Sequence, residues 1–199
     1  MTNIKLINEY HKQIKAVKKG IAKYFKKVDE SNYKEKLEDL GYEPAHYTFE
    51  SGKDIDETFE ELNKKVGIYV FTENTQILSE DKWNTFKENC PKKEGKDKKM
   101  YKRKFPAWNK NINNAGSKIF YLGKSENLKK RLLEHTGDPS ASTYALKLSL
   151  FDEIFDYSID VFYSDDKSDD SSLDFELVNS IVESTLHNKL TPKIGTSRK

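Results

Sequence analysis

The sequence predicts an α+β fold. Three short apolar runs read as buried strands: KVGIYVF over 65–71, KIFYLG over 118–123 and YSIDVFYS over 157–164. Segments with helical spacing stand before, between and after them, the most apolar over 173–190. A length of 199 residues suits one domain with elaborations.

In chain order, Ile7, Tyr10, Ile14, Val17, Ile21, Tyr24 and Val28 recur every three or four positions, which predicts an amphipathic helix over 4–28. Its other faces carry lysines, so the helix either docks on the core with a wet lysine face or meets DNA or a second copy. A turn is expected at Gly41–Pro44 and a helix near 54–64. After the first strand run, SEDKWNTFKEN predicts a helix over 79–89, capped by Ser79 and ended by Pro91.

The lysine-rich stretch to about residue 116 holds Gly95, Pro106 and an asparagine-rich tail, and reads as a loop with Tyr101, Phe105 and Trp108 among its charges. Ser125 is the expected cap of a helix ending near His135. GDPSAS is a turn, TYALKLSLF a short helix and SDDKSDDSS a solvated acidic loop. The last helix stops before Pro192.

Composition narrows the functional classes. The one cysteine, Cys90, excludes an intramolecular disulfide and any cysteine cluster for zinc. No apolar run approaches the ~18 residues of a membrane span, and the first residues lack the apolar stretch of a signal peptide, so a soluble cytoplasmic protein is expected. The net charge of +2 hides a polarity. Residues 92–110 carry nine cations against two acids, a patch suited to a polyanion. Residues 152–176 carry ten acids and only Lys167, so that segment is expected to face away from one.

Two stripes concentrate polar chemistry. At about 100° per residue, Arg131 and His135 share a helix edge with Leu128 and Leu132, while Lys129, Lys130 and Glu134 lie opposite. They are either a snorkelling arginine with a hydrogen-bonded core histidine, or part of a site. On the last helix Glu176, Ser180, Glu183 and His187 interrupt an otherwise apolar surface. That stripe is either the wet face or the wall of a site; periodicity does not choose.

Gly67-Ile68-Tyr69, then Tyr121-Leu122-Gly123, then Lys124, then Arg131 ten residues after the second tyrosine, then Glu183, form an ordered set that resembles the GIY-YIG nuclease family. Arg131 followed by His135 is similar to its restriction-enzyme branch, as is TYALKL, and Glu183 followed by LTPKIG resembles the family's metal-binding glutamate and proline-containing tail. The resemblance spans about residues 65–195. YLG is a mild variant of the second signature. Gly195 stands where many members have asparagine, and the 52 residues from Tyr69 to Tyr121 exceed the gap in compact members.

The resemblance implies a three-stranded, mainly antiparallel sheet flanked by helices, with residues 1–64 as a helical extension and 65–199 as the nuclease-like domain, carrying a basic insertion at about 73–117. It implies hydrolysis of phosphodiesters in double-stranded DNA, as in a type II restriction enzyme, with a second chain for the second strand. Glu183 would hold Mg²⁺ or another divalent cation such as Mn²⁺. Arg131 would clamp the phosphate, with Lys124 beside it. Tyr69 or Tyr121 would position or deprotonate water, and His135 would relay a proton or contact phosphate. Lys98, Lys99, Lys102, Arg103 and Lys104 would contact DNA, with Arg103, Asn109, Asn111, Asn113 and Asn114 able to read base edges. The alternatives are a repair, recombination or mobile-element nuclease, and a catalytically silent DNA-binding module.

Overall fold

The computed structural model describes the chain except Met1, Asp54, Asp56, Glu57, Gln76, Ile77 and residues 111–116, 165–171 and 196–199; for residues 2–6 and 172–175 it describes the backbone only. Asn111, Asn113, Asn114 and most of the acidic loop thus lie outside the described residues. The elements are helices α1 (Thr2–Tyr24), α2 (Tyr33–Glu38), α3 (Glu80–Asn89), α4 (Leu128–Thr136) and α5 (Ser172–Leu190). The strands are β1 (Glu43–Glu50), β2 (Val66–Glu73), β3 (Lys93–Glu94), β4 (Met100–Tyr101), β5 (Ile119–Ser125) and β6 (Asp156–Ser164).

The fold is α+β, and its main sheet has the order β1-β6-β2-β5 with every neighbouring pair antiparallel. The sheet has four strands, one more than expected. The extra strand, β1, comes from the segment read as a helical extension. Its Pro44 is tolerated because β1 is an edge strand, where a missing N–H costs no central ladder bond. Asp160 on β6 fastens this region: its carboxylate accepts from Tyr33 and Lys34 at 2.8 Å each and meets His46 Nδ1 at 2.7 Å. Burial pushes that carboxyl pKa up, but these bonds outweigh it and hold it below the usual aspartate range.

Other expectations are corrected. Over 54–64 the described backbone shows only a 3-10 turn, Glu60–Leu62, which buries Leu62 beside Phe59 before Lys64, at φ 60°, redirects the chain into β2. Ser125 ends β5 instead of capping α4; Asn127 is the cap and accepts from the Lys130 amide at 3.0 Å. TYALKLSLF forms only the turn Leu148–Leu150, preceded by Lys147 in the left-handed region. Ser79 caps α3 as expected.

The basic stretch is not a plain loop. β3 and β4 form a small hairpin, and Phe105 packs against Trp83 and Phe86, whose helix α3 lies beneath. α1 docks less than its pattern suggests. Ile7, Tyr10, Val17 and Tyr24 stay exposed, and burial begins in earnest at Phe25, a side chain whose full burial is worth about 1.5–3 kcal/mol.

The strand period splits the core in two. Ile68 and Val70 join Phe162 and the Val182, Leu186 and Leu190 stripe of α5. Tyr69 and Phe71 join Trp83 and the Leu128 and Leu132 stripe of α4. Helices α4 and α5 therefore pack on opposite faces of the sheet. The register of β2 with β5 slips between Phe71 and Thr72, so Phe120 lies opposite no residue and both Phe120 and Tyr121 serve the α4 side. Such a bulge re-aims a side chain next to it.

The edge strand β5 is partly covered by the C-terminal tail. The Lys193 and Ile194 amides donate to Ile119 and Phe120 carbonyls, and the Asn109 and Gly195 amides tie the tail to the loop over 107–109. A buried ion pair between Lys193 and Glu73 anchors the tail to β2, and the Leu78 amide completes the Glu73 carboxylate at 2.9 Å. Among the described residues, no helix is long and apolar enough to cross a membrane.

Candidate functional site

Where the tail leaves β5, a cleft of about 590 Å³ opens at the sheet edge. Its walls bring together Tyr69, Tyr121, Lys124, Arg131 and Glu183, drawn from β2, β5, α4 and α5. Arg131 and Glu183 come from helices on opposite faces, yet both reach around the edge strand into one cavity.

Two glycines make the packing possible. Tyr69 pairs across the ladder with Gly123, and a Cβ on Gly123 would stand 2.6 Å from the Tyr69 hydroxyl and 2.8 Å from Cζ. Only glycine lets the phenol lie across β5. A Cβ on Gly67 would collide with the Phe162 carbonyl, so glycine lets the β6 backbone approach β2 closely there. Tyr69 and Tyr121 stack with ring centroids 6.2 Å apart and planes 25° apart.

The Tyr69 hydroxyl is the centre of a small network. The Leu146 amide donates to His135 Nδ1 at 3.2 Å, so that nitrogen carries no hydrogen. Burial, with Arg131 and Lys147 nearby, pushes the His135 pKa well down, so the ring is neutral. Its hydrogen therefore sits on Nε2 and is donated to Tyr69 Oη at 3.1 Å. Arg131 Nε donates to the same oxygen at 3.3 Å. The remaining Arg131 bonds run to Glu134 at 2.8 Å and to the Tyr144 carbonyl at 2.7 Å. Among the described residues three of its five N–H groups are used, and two remain. Burial and the nearby Tyr121 push the Tyr69 pKa up, with Arg131 opposing them. His135 itself is fully buried with both ring nitrogens engaged, so it supports Tyr69 and does not face the cavity.

On the α5 side Glu183 and His187 line the cleft one helical turn apart. Lys124 is 3.5 Å from Glu176, a half-exposed carboxylate. Burial lowers the His187 pKa, and its buried Nε2 has no hydrogen-bond partner among the described residues. Gly195, at φ 93°, ends the cleft beside it; a Cβ there would lie 3.4 Å from the Tyr121 ring and 3.6 Å from His187 Nε2. Tyr144 stands exposed at the mouth with the Lys104 ammonium 5.5 Å from its ring centroid. Neither residue carries a role assigned from sequence, although His187 lies in the polar stripe of the last helix and Tyr144 in TYALKL.

The expected DNA-contacting cations divide. Lys98, Lys99, Lys102 and Lys104 are exposed. Arg103 is turned inward, its side chain only 6% exposed, and forks onto the Asp138 carboxylate at 3.2 and 2.8 Å. Asn109 is buried and donates to the Pro192 carbonyl at 3.0 Å, so its amide holds the tail. Lys147 is wholly buried, its ammonium donating to the Lys104 and Thr143 carbonyls; burial, with Arg103 nearby, lowers its pKa to about 8.

No group of three or more histidine, cysteine, aspartate or glutamate side chains forms a metal cage among the described residues. A cation here would rest on Glu183, with His187 one helical turn away on the same helix face. A carboxylate with room for water suits a hard divalent ion. Comparison with family models, with curated proteins and with solved structures finds no match for this chain.

Proposed function

We propose that this chain is a GIY-YIG-type endonuclease that hydrolyses double-stranded DNA with a divalent cation, Mg²⁺ or Mn²⁺, in the manner of a type II restriction enzyme. The observation that carries the reading is the meeting of Tyr69, Tyr121, Lys124, Arg131 and Glu183 in one cleft from four separate elements. An assembly of unrelated residues has no physical reason to converge on a single cavity with two phenols, two cations and a carboxylate.

The reaction joins a water oxygen to phosphorus while the bond from phosphorus to the 3′ oxygen breaks, leaving a 5′ phosphate and a 3′ hydroxyl. Arg131 presents its two remaining N–H groups to the non-bridging oxygens, where charge builds. Lys124 adds a second positive charge from the β5 side. Tyr69 handles the water: its oxygen receives hydrogen bonds from His135 and Arg131, so its own hydrogen points away from both. Burial keeps the phenol protonated at rest; those two donors oppose that and ease formation of the phenolate, the form able to take the water's proton. Glu183 would hold the cation, which when bound supplies positive charge to the scissile phosphate and the departing oxygen.

One cleft cuts one strand, so a double-strand cut calls for two copies, and the exposed apolar stripe of α1 is a surface for that contact. The exposed lysines of the hairpin region would meet the DNA backbone. The test is digestion of a long sequenced DNA with Mg²⁺ or Mn²⁺, followed by end mapping. Discrete termini from the wild type and intact DNA with Glu183→Gln are expected. Intact DNA with both proteins at high concentration would favour a silent binding module, and scattered nicks a repair or mobile-element nuclease.

A further inference from the structure

The α5 wall of the cleft holds one group that the proposed chemistry leaves idle. His187 is 5% exposed, and its Nε2 is buried with no hydrogen-bond partner among the described residues. A buried polar atom left unsatisfied is destabilising, so a stable fold rarely keeps one without a use. The nitrogen is not sealed in apolar packing, because the residue lines the cleft beside Glu183. Gly195 puts no side chain in the space next to the imidazole edge, and a Cβ there would already stand 3.6 Å from Nε2.

Glu183 and His187 are four positions apart on α5, so their side chains stand one above the other on one helix face. A carboxylate and an imidazole at that separation are placed to grip one cation. An imidazole nitrogen is a softer donor than oxygen, and it suits first-row transition metals better than Mg²⁺, which demands oxygen ligands.

We propose that His187 Nε2 is a second protein ligand, beside Glu183, for the divalent cation, and that it turns the site's preference from Mg²⁺ toward a first-row transition metal. The proposal rests on the reading that Glu183 holds a cation. Two protein ligands leave the rest of the shell to water and to phosphate oxygens.

The test needs no DNA cleavage. The full chain is titrated with Mn²⁺, and the bound ion is examined by pulsed electron paramagnetic resonance, in which a directly bonded imidazole gives nitrogen modulation and an all-oxygen shell gives none. The expected result is one Mn²⁺ per chain with nitrogen modulation in the wild type. His187→Gln should lose the modulation and at least about tenfold in Mn²⁺ affinity, while Mg²⁺ affinity changes little. Thermal melting shows whether that variant is folded, and the wild-type spectrum stands without it. A Mn²⁺ ion that depends on Glu183 but shows no nitrogen modulation overturns the His187 ligand and leaves the cation at Glu183 standing. Failure of the wild type to bind Mn²⁺ in a Glu183-dependent way overturns both.

Discussion

Helices α4 and α5 carry the same local pattern, a charged residue followed four positions later by a histidine, and they spend it differently. In α4, Arg131 and His135 are closed into a network: the Leu146 amide, the Tyr69 hydroxyl, Glu134 and the Tyr144 carbonyl use both imidazole nitrogens and three guanidinium donors. In α5, His187 keeps a buried nitrogen with no partner among the described residues. The first arrangement fixes a geometry, and the second is the one the proposed cation would use. The same division runs through the other charges. Lys193, Arg103, Lys147 and Asp160 are committed to partners within the fold, whereas Lys98, Lys102 and Lys104 stay in solvent. Groups of the first kind should govern stability and positioning; groups of the second kind should govern ligands.

The largest expected effect comes from breaking a committed pair. Lys193→Met leaves the fully buried Glu73 carboxylate without its ammonium, a change that costs about 3–5 kcal/mol in comparable buried pairs. The melting temperature should fall by roughly 10 °C or more. Replacing Glu73 by Gln in the same chain should recover part of the loss, because the stranded charge is then gone. A melting temperature unmoved by Lys193→Met would mean that the tail is not held this way, and the cleft's lower wall would lose its anchor.

A smaller effect, on rate, separates the two histidines. His135→Asn removes a donor from the Tyr69 oxygen and leaves the Leu146 amide short of an acceptor. If Tyr69 handles the water's proton, cleavage should slow by about 10²-fold, the scale of losing one well-placed donor. The sign of the pH effect follows from the same bond. Without the imidazole N–H the phenolate is less stabilised, its pKa rises, and the rate should climb at higher pH than in the wild type. A merely structural role would lower activity equally at every pH.

The sequence carried most of the sheet and part of the site. β2, β5 and β6 are legible because they are buried on both faces and so read as near-continuous apolar runs. β1 is not, because it lies at the edge: Glu43, Pro44, His46 and Thr48 look like a turn or loop until β6 offers its open side. The stripe Glu176, Ser180, Glu183 and His187 is visible by period, but whether it faces water or a cleft depends on the tail folding back along β5, a contact with no local signal. The tyrosine, lysine, arginine and glutamate set was found by resemblance to known motifs, and the fold brings them to one cavity. The basic stretch misled in one respect. A run of cations in sequence reads as a single patch, yet Arg103 is satisfied by Asp138, 35 positions later, and Asn109 by the Pro192 carbonyl.

That last distinction gives the finest test of the comparison. Lys98, Lys99 and Lys102 are exposed, and Lys99 has only a distant carboxylate, 3.9 Å away on Asp97. If such lysines meet DNA phosphates, each one removed should flatten the dependence of log binding constant on log salt by about 0.9, the release of one condensed counterion per contact. Affinity at low salt should fall modestly and by a similar amount on every DNA sequence, because a phosphate contact carries no base information. Arg103→Ala should behave otherwise. Its guanidinium is spent on Asp138 and the Pro91 carbonyl, so the salt slope should stay as in the wild type while the melting temperature falls. Binding isotherms at several salt concentrations, with a thermal melt for each variant, separate the two behaviours. A salt slope that drops with Arg103→Ala at unchanged stability would show that the arginine leaves Asp138 for the polyanion, and the division between committed and open charges would fail at the residue where it is drawn most sharply.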